Sequence, residues 1–309
     1  MYTRNSTTIL FLGFHNLDTF NLALFTLLLI IYIVTICGNL LIIVLVFCSK
    51  TLHSPMYIFL TQLSISDIML TTDISPNMLN IVLHEQTSIS LSSCITQFYF
   101  SSLSLVSECF ILTVMSYDRY LAICTPLHYA SIMNPSVCSK FIFVSWFWGC
   151  SLVLMLTLSI CQLEFCGPST VDHFFCDLNV LVQLSCSDAS IVQAEGILLS
   201  IHVIVLPFLV IVVSYTYIVM TISKIFSFSG RLKSFSTCSS HLTVVSIFYG
   251  TLIAMYMCPK EGQSQIITKI LVMLYTVFTP LLNPFIYSLR NKDIKEALRN
   301  VLIRKKVTI

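Results

Sequence analysis

The sequence predicts an all-α membrane protein: a bundle of seven transmembrane helices followed by a short amphipathic C-terminal helix. Three observations carry this prediction. The 309 residues are 56% hydrophobic and only 10% charged, whereas a soluble domain carries about 25% charged residues. Apolar stretches that reach the roughly 20 residues needed to cross a bilayer recur along the whole chain. Lysine and arginine, finally, fall almost entirely between alternate stretches. The formal net charge of +2 is close to neutral and gives no reason to expect a nucleic-acid partner.

Residues 1–21 mix polar and apolar side chains, with no basic segment ahead of an apolar one. They read as an extracellular N-terminus without a cleavable leader, so the first apolar segment acts as its own insertion signal. Asn5-Ser6-Thr7 is a glycosylation sequon in that segment, which makes Asn5 the expected acceptor. Span one covers 22–47 without a charge and stops before Lys50. Span two (56–82) and span three (94–118) have the right length although the first carries Asp67 and Asp73 and the second Glu108. Spans four to seven cover 140–163, 196–223, 234–259 and 266–289. In the cytoplasmic tail (291–309), Ile294, Ala297, Leu298, Val301 and Leu302 share one helical face opposite basic residues. Such a helix lies on the inner leaflet against anionic membrane lipid. No internal repeat is visible, which argues against a transporter built from duplicated halves.

Orientation follows from the basic residues in short loops. With the C-terminus inside, thirteen Lys and Arg lie on the cytoplasmic side and only Arg4, Lys260 and Lys269 outside. The longest loop, 164–194, is then external and holds Glu164, Asp172, Asp177 and Asp188 with no Lys or Arg. It also holds Cys166, Cys176 and Cys186, while Cys94 begins span three. Four cysteines in an oxidising compartment imply two bridges, and three connectivities are open.

Charged groups inside a membrane are expensive and point to function. Counting roughly 1.5 Å per residue from the inner end of each span, Asn39, Asp67 and Glu108 sit at a similar depth of about 16–18 Å, with Asn283 shallower. The two carboxylates could share a proton, hold a cation such as sodium, or hydrogen-bond between helices as structural glue. No nucleophile-and-base set or histidine cluster accompanies them, so an enzyme is not expected; His202 and His241 read as lone, satisfied polar residues. Pro207, Pro280 and Pro284 interrupt spans five and seven. Asp118 and Arg119, side by side where span three stops, are either a helix end meeting water or a switch.

If Glu108 faces the interior, so do Leu105, Ser104 and Ser101, with Ser102 and Val106 flanking that stripe. Leu199, Ser200 and Val203 share a face of span five, and Tyr249, Leu252, Ile253 and Tyr256 a face of span six. A cavity lined by these in the outer half of the bundle would suit a small, neutral or weakly polar molecule; ordinary helix packing is the alternative.

Several motifs in order give the chain a family resemblance. They are Gly38-Asn39, LHSPMY at 52–57, LSISD at 63–67, MSYDRYLAIC at 115–124 and PLHY at 126–129. Further on stand SY at 214–215, KSFSTCSSHL at 233–242 and PLLNPFIYSLRN at 280–291. Together they resemble the vertebrate odorant (olfactory) receptors of the rhodopsin-like G-protein-coupled class, over nearly the full length. Departures are small: Ser54, Ser116, Leu121 and Ser234 replace the usual Thr, Ala, Val and Ala, and Asn77 stands where Lys is common.

The resemblance implies roles for particular residues. Asp118, Arg119 and Tyr120 would form an inactive-state lock and then the G-protein contact, and Tyr215, Asn283, Pro284 and Tyr287 would rearrange with them. Cys94–Cys176 and Cys166–Cys186 would be the bridges, Asp67 and Glu108 the mid-membrane polar site able to hold sodium, and Tyr249 the floor of an odorant pocket. The implied partners are a small-molecule odorant and a heterotrimeric stimulatory, olfactory-type G protein that raises cyclic AMP. No other cofactor is expected. A receptor of this family with a non-odorant ligand outside the nose is the nearest alternative, and a transporter or channel the more remote one.

Overall fold

The computed structural model describes residues 8–12, 21–166, 170–257 and 265–307; Asn5 and the side chain of Tyr256 lie outside what it describes. The helices are α1 (Asn21–Cys48), α2 (Pro55–His84), α3 (Leu91–Cys124), α4 (Pro126–Ile132) and α5 (Pro135–Cys161). After these come α6 (Leu178–Leu184), α7 (Ser190–Ser200), α8 (Leu206–Ser223), α9 (Phe228–Met257), α10 (Gln265–Met273), α11 (Thr279–Arg290) and α12 (Lys292–Val307). α7 and α8 form one continuous span, as do α10 and α11, so the bundle has seven spans.

Among the described residues, six of these spans are long and apolar enough to cross a membrane on hydropathy alone, and α2 is not one of them. The reason lies in what α2 buries. Ser64, Ser66, Asp67, Thr71 and Ser75 all face the interior of the bundle, so its polarity is hidden from lipid. The other helices turn large apolar side chains outward, as Leu27, Ile30, Phe143, Phe147, Leu198 and Val219 do. That inverted pattern is what a membrane solvent selects.

Local sequence sets the helix ends. Ser90 caps α3 by accepting from the Ser93 N–H at 3.1 Å, Asn134 caps α5 through the Val137 N–H at 3.1 Å, and Asp177 caps α6 through the Val180 N–H at 2.8 Å. Pro55, Pro126 and Pro135 open their helices, where a missing N–H costs nothing. Within spans five and seven, single π-helical turns at Ile201–Val205 and Leu274–Phe278 sit just before Pro207 and Pro280. Proline removes one ladder hydrogen bond and crowds the preceding turn, and a widened turn absorbs the mismatch.

One end of the bundle is closed by a cap. Cys94 is bonded to Cys176 and Cys166 to Cys186, with Cα separations of 5.4 and 5.7 Å. Phe174, Phe175 and Leu181 of the long loop are buried on the bundle, and Lys269 of α10 pairs with Asp172. A small sheet completes the cap, which the sequence reading did not anticipate. In it, β1 (Thr8–Leu12) pairs antiparallel with β2 (Gln86–Ser90), Thr8 opposite Ser90, and parallel with β3 (Thr170–Val171), Leu10 opposite Thr170. Ile9 and Phe11 alternate inward and are fully buried. At the other end, Ile294 and Ala297 of α12 are buried, and the Tyr57 hydroxyl donates to Asn291 at 3.0 Å and Asp293 at 2.8 Å.

Gly38 explains one half of the Gly-Asn pair in span one. A Cβ built there would meet Cγ of Pro284 at 3.1 Å, so a bare backbone is what lets α1 close on α11. Gly38→Val is expected to destabilise the bundle by about 1–3 kcal/mol through this overpacking. The check is the thermal unfolding midpoint in detergent, which should fall clearly; an unchanged midpoint would show that the two helices are not in contact.

Candidate functional site

Asp118 and Arg119 are not at a helix end. α3 continues through them to Cys124, so both charges are carried on a helix and buried, Asp118 at 0% exposure and Arg119 at 9%. The Arg119 guanidinium folds back on its neighbour, and its Nε donates to Asp118 Oδ2 at 2.9 Å. A buried ion pair holds only if its remaining lone pairs are also satisfied. The chain supplies that partner from α4: after Thr125-Pro126 it turns back under α3, and the Tyr129 hydroxyl donates to Asp118 Oδ1 at 2.7 Å. Burial, and after it the negative charge of Asp118, raises the Tyr129 hydroxyl above its usual range, so it keeps its proton and remains a donor. Tyr129 lies in the PLHY motif, but eleven residues of separation hid its partner. Tyr120, expected to join the pair, instead packs between Tyr117 at 6.4 Å and Tyr217 of α8 at 6.0 Å.

One layer deeper, the Tyr215 hydroxyl and His241 Nδ1 lie 2.6 Å apart, and His241 Nε2 is 3.2 Å from the Leu112 carbonyl. This bond chain ties α8, α9 and α3 together with a histidine that is 0% exposed. With a backbone carbonyl as the only partner on one side, His241 must carry its proton on Nε2, and Tyr215 then donates to Nδ1. Tyr287 of α11 is equally buried and lies within electrostatic reach of Arg119 on one side and Asp67 on the other.

The mid-bundle polar layer comes next. Asn283 Nδ2 donates to both oxygens of Asp67, each at 3.0 Å. Asn39 Nδ2 donates to the Thr35 carbonyl at 3.1 Å and to the Pro280 carbonyl at 3.2 Å, across the freed backbone of a proline turn. Glu108 neighbours Asp67, and both are fully buried. Both carboxyl oxygens of Glu108, with Ser107 Oγ and Asn39 Oδ1, have no hydrogen bond of good geometry. Among the described residues no basic side chain pairs with either acid. Two carboxyls in contact in a low dielectric cannot both stay charged and uncompensated, so they fit either a shared proton or one hard monovalent cation. No group of three or more His, Cys, Asp and Glu is assembled among the described residues.

Towards the capped end, Ser101, Val106, Val203, Tyr249 and Leu252 are buried, and Ser102, Leu105, Leu199 and Ser200 half-buried. Tyr249 is held between Phe208 at 4.8 Å and Phe248 at 5.2 Å between ring centres. Ser101 and Ser200 donate to carbonyls of their own helices, Gln97 and Gly196, both at 2.8 Å, which leaves their oxygens as acceptors. Two of the expected residues sit differently. Val106 packs against Gly149 of α5, where a Cβ would come within 3.0 Å of it, and Ile253 is 44% exposed on the outside of the bundle. A helix steps about 100° per residue; Leu252 takes the inward position on this turn, and Ile253 falls on the outer side.

Comparison with known proteins agrees with this architecture. A family model described as olfactory receptor matches residues 28–305. The human protein "Olfactory receptor 11L1" is 46% identical over 303 residues, covering 98% of this chain and 94% of that one. The rat protein "Olfactory receptor 1468" is 43% identical over 284 residues, covering 92% and 90%. The crystal structure of squid rhodopsin superposes with a TM-score of 0.73 at 18% identity, covering 92% of this chain and 80% of that one; at that identity it speaks for the fold alone.

Removing one partner of the Tyr215–His241 bond leaves a buried polar atom unpaired, which costs about 1–3 kcal/mol. Tyr215→Phe and His241→Phe are each expected to lower the melting temperature, and the double variant to lose less than their sum. A strictly additive double-mutant cycle would show that the two side chains do not interact.

Proposed function

The chain belongs to the olfactory receptor family, and from that premise we propose how it works as an odorant receptor. A small, mostly apolar molecule enters the capped half of the bundle and lies against Tyr249, Leu252 and Val203, with hydroxyl acceptors at Ser101 and Ser200. The N-terminus is extracellular, supported by thirteen basic residues on one side against three on the other, which puts Asp118 and Arg119 on the cytoplasmic side. There a stimulatory, olfactory-type heterotrimeric G protein couples and raises cyclic AMP. Asn5 carries the glycan, and α12 lies on anionic lipid of the inner leaflet.

The observation that carries this reading is the Asp118–Arg119 pair closed by Tyr129. In this arrangement the guanidinium is buried and cannot meet a partner. An odorant that binds the open arrangement more tightly shifts the population toward it. If one molecule in a hundred is open at rest, a preference of about a hundredfold brings the open state to roughly half. Opening breaks the Tyr129 contact and frees Arg119. Asp67 and Glu108, with Asn283, hold a sodium ion or a shared proton in the closed state, and the widened turns before Pro207 and Pro280 are where spans five and seven give.

The experiment is a cyclic AMP screen of volatile compounds in cells displaying the receptor, with Arg119→Ala at matched surface level. Native receptor is expected to respond to at least one compound and the variant to lose the response by about 10-fold or more. An undiminished response in the variant would remove Arg119 from the coupling role.

A further inference from the structure

A cavity of about 370 Å³ opens between α2, α3 and β2, in the capped half of the bundle. Asp73 and Asn77, one turn apart on α2, line one side; Thr96 and Gln97 of α3 line another, and Ile89 of β2 adds an apolar wall. None of these residues belongs to the odorant cavity described above.

Asp73 is what calls for an occupant. Its Oδ2 is buried and has no hydrogen-bond partner, and the ion pairs among the described residues join Arg119 to Asp118 and Lys269 to Asp172, leaving it without a cation. A carboxylate inside a membrane span without compensation is costly and marks a functional position. The neighbouring polar groups are arranged to accept. Gln97 is fixed, its Nε2 donating to the Asp73 backbone carbonyl at 2.9 Å and its Oε1 accepting the Cys176 N–H at 2.9 Å. The Thr96 hydroxyl donates to the Ser92 carbonyl at 2.9 Å, which leaves its oxygen as an acceptor. Asn77 Nδ2 donates to the Phe174 carbonyl at 3.5 Å, which leaves its amide oxygen.

A carboxylate, an amide oxygen and a hydroxyl oxygen complement a group with three N–H donors and no acceptor, which is an alkylammonium. A bare metal ion suits the site less well. Calcium takes about 6–8 oxygen ligands, whereas this cavity offers one anionic side chain, an apolar wall at Ile89 and a volume within the roughly 300–1,000 Å³ range of organic-ligand pockets. We propose that this cavity binds a small primary amine, its ammonium on Asp73 and its apolar group against Ile89. The site stands apart from the coupling role of Arg119, and its test needs no G protein.

That test is a binding titration of 2-phenylethylamine on the full-length receptor in lipid nanodiscs, with 2-phenylethanol as the uncharged analogue. The native chain should bind the amine saturably and the alcohol about tenfold more weakly or worse, since a charge-assisted bond is lost. Asp73→Asn should weaken the amine to a similar degree. Asn77→Lys places an internal ammonium one turn from Asp73 and should abolish amine binding while the melting temperature is kept, which decides the matter if Asp73→Asn does not fold. No saturable binding to the native chain, equal affinity for the alcohol, or undiminished amine binding in the folded variants would overturn the proposal.

Discussion

A charge buried in a medium without water must find its partner inside the protein, and most of this bundle is arranged around that requirement. Asp118 and Arg119 are adjacent on α3, and each alone would be prohibitive in the interior. Arg119 folds back on Asp118, and Tyr129 reaches up from α4 to take the second carboxylate oxygen. Satisfying a buried pair therefore dictates the path of the chain after span three, including the break at Pro126. The same rule shapes α2, whose acid and hydroxyl groups exclude it from the apolar spans and force it into the centre.

α3 connects the levels at which these demands are met. Its Cys94 anchors the long loop and its Gln97 receives the loop backbone at Cys176. Glu108 meets Asp67 at mid-depth, the Leu112 carbonyl receives His241, and Asp118 and Arg119 close the far end. Spans five and seven each contain one π-helical turn ahead of a proline. Tyr249 packs on Phe248, Phe248 packs on Tyr275, and the same helix α9 carries His241 bonded to Tyr215.

Much of this was legible in the sequence, for physical reasons that also mark where legibility ended. Long charge-free runs identify spans because the bilayer imposes one length on all of them. α2 is legible by its length, but the place of its polar groups is not, since they are turned into the bundle and only tertiary contact shows that. β1 escaped notice because a five-residue strand gains its stability from partners at Ser90 and Thr170, far along the chain. The end of apolarity at Asp118 was a poor guide to the end of the helix, since the helix runs on wherever its charges are paired. His241 and Tyr129 sit in motifs quoted for the family resemblance, yet their partners lie 26 and 11 residues away, and no local pattern announces them. Ile253 shows a simpler limit: spacing marks which residues share a face, but only packing shows where that face ends, and Ile253 lies outside it.

We propose that the Asp118–Arg119 pair, closed by Tyr129, holds the bundle in its closed arrangement, so that breaking it lets the inner ends of the spans move apart. Spin labels at Leu127 and Phe228, both exposed at that end, report the separation directly once the exposed Cys37, Cys48 and Cys161 are replaced by serine. Their distance distribution in native receptor is predicted to be dominated by a short population, and in Asp118→Asn to shift to a longer one without any odorant. An identical distribution in the two proteins would contradict the claim.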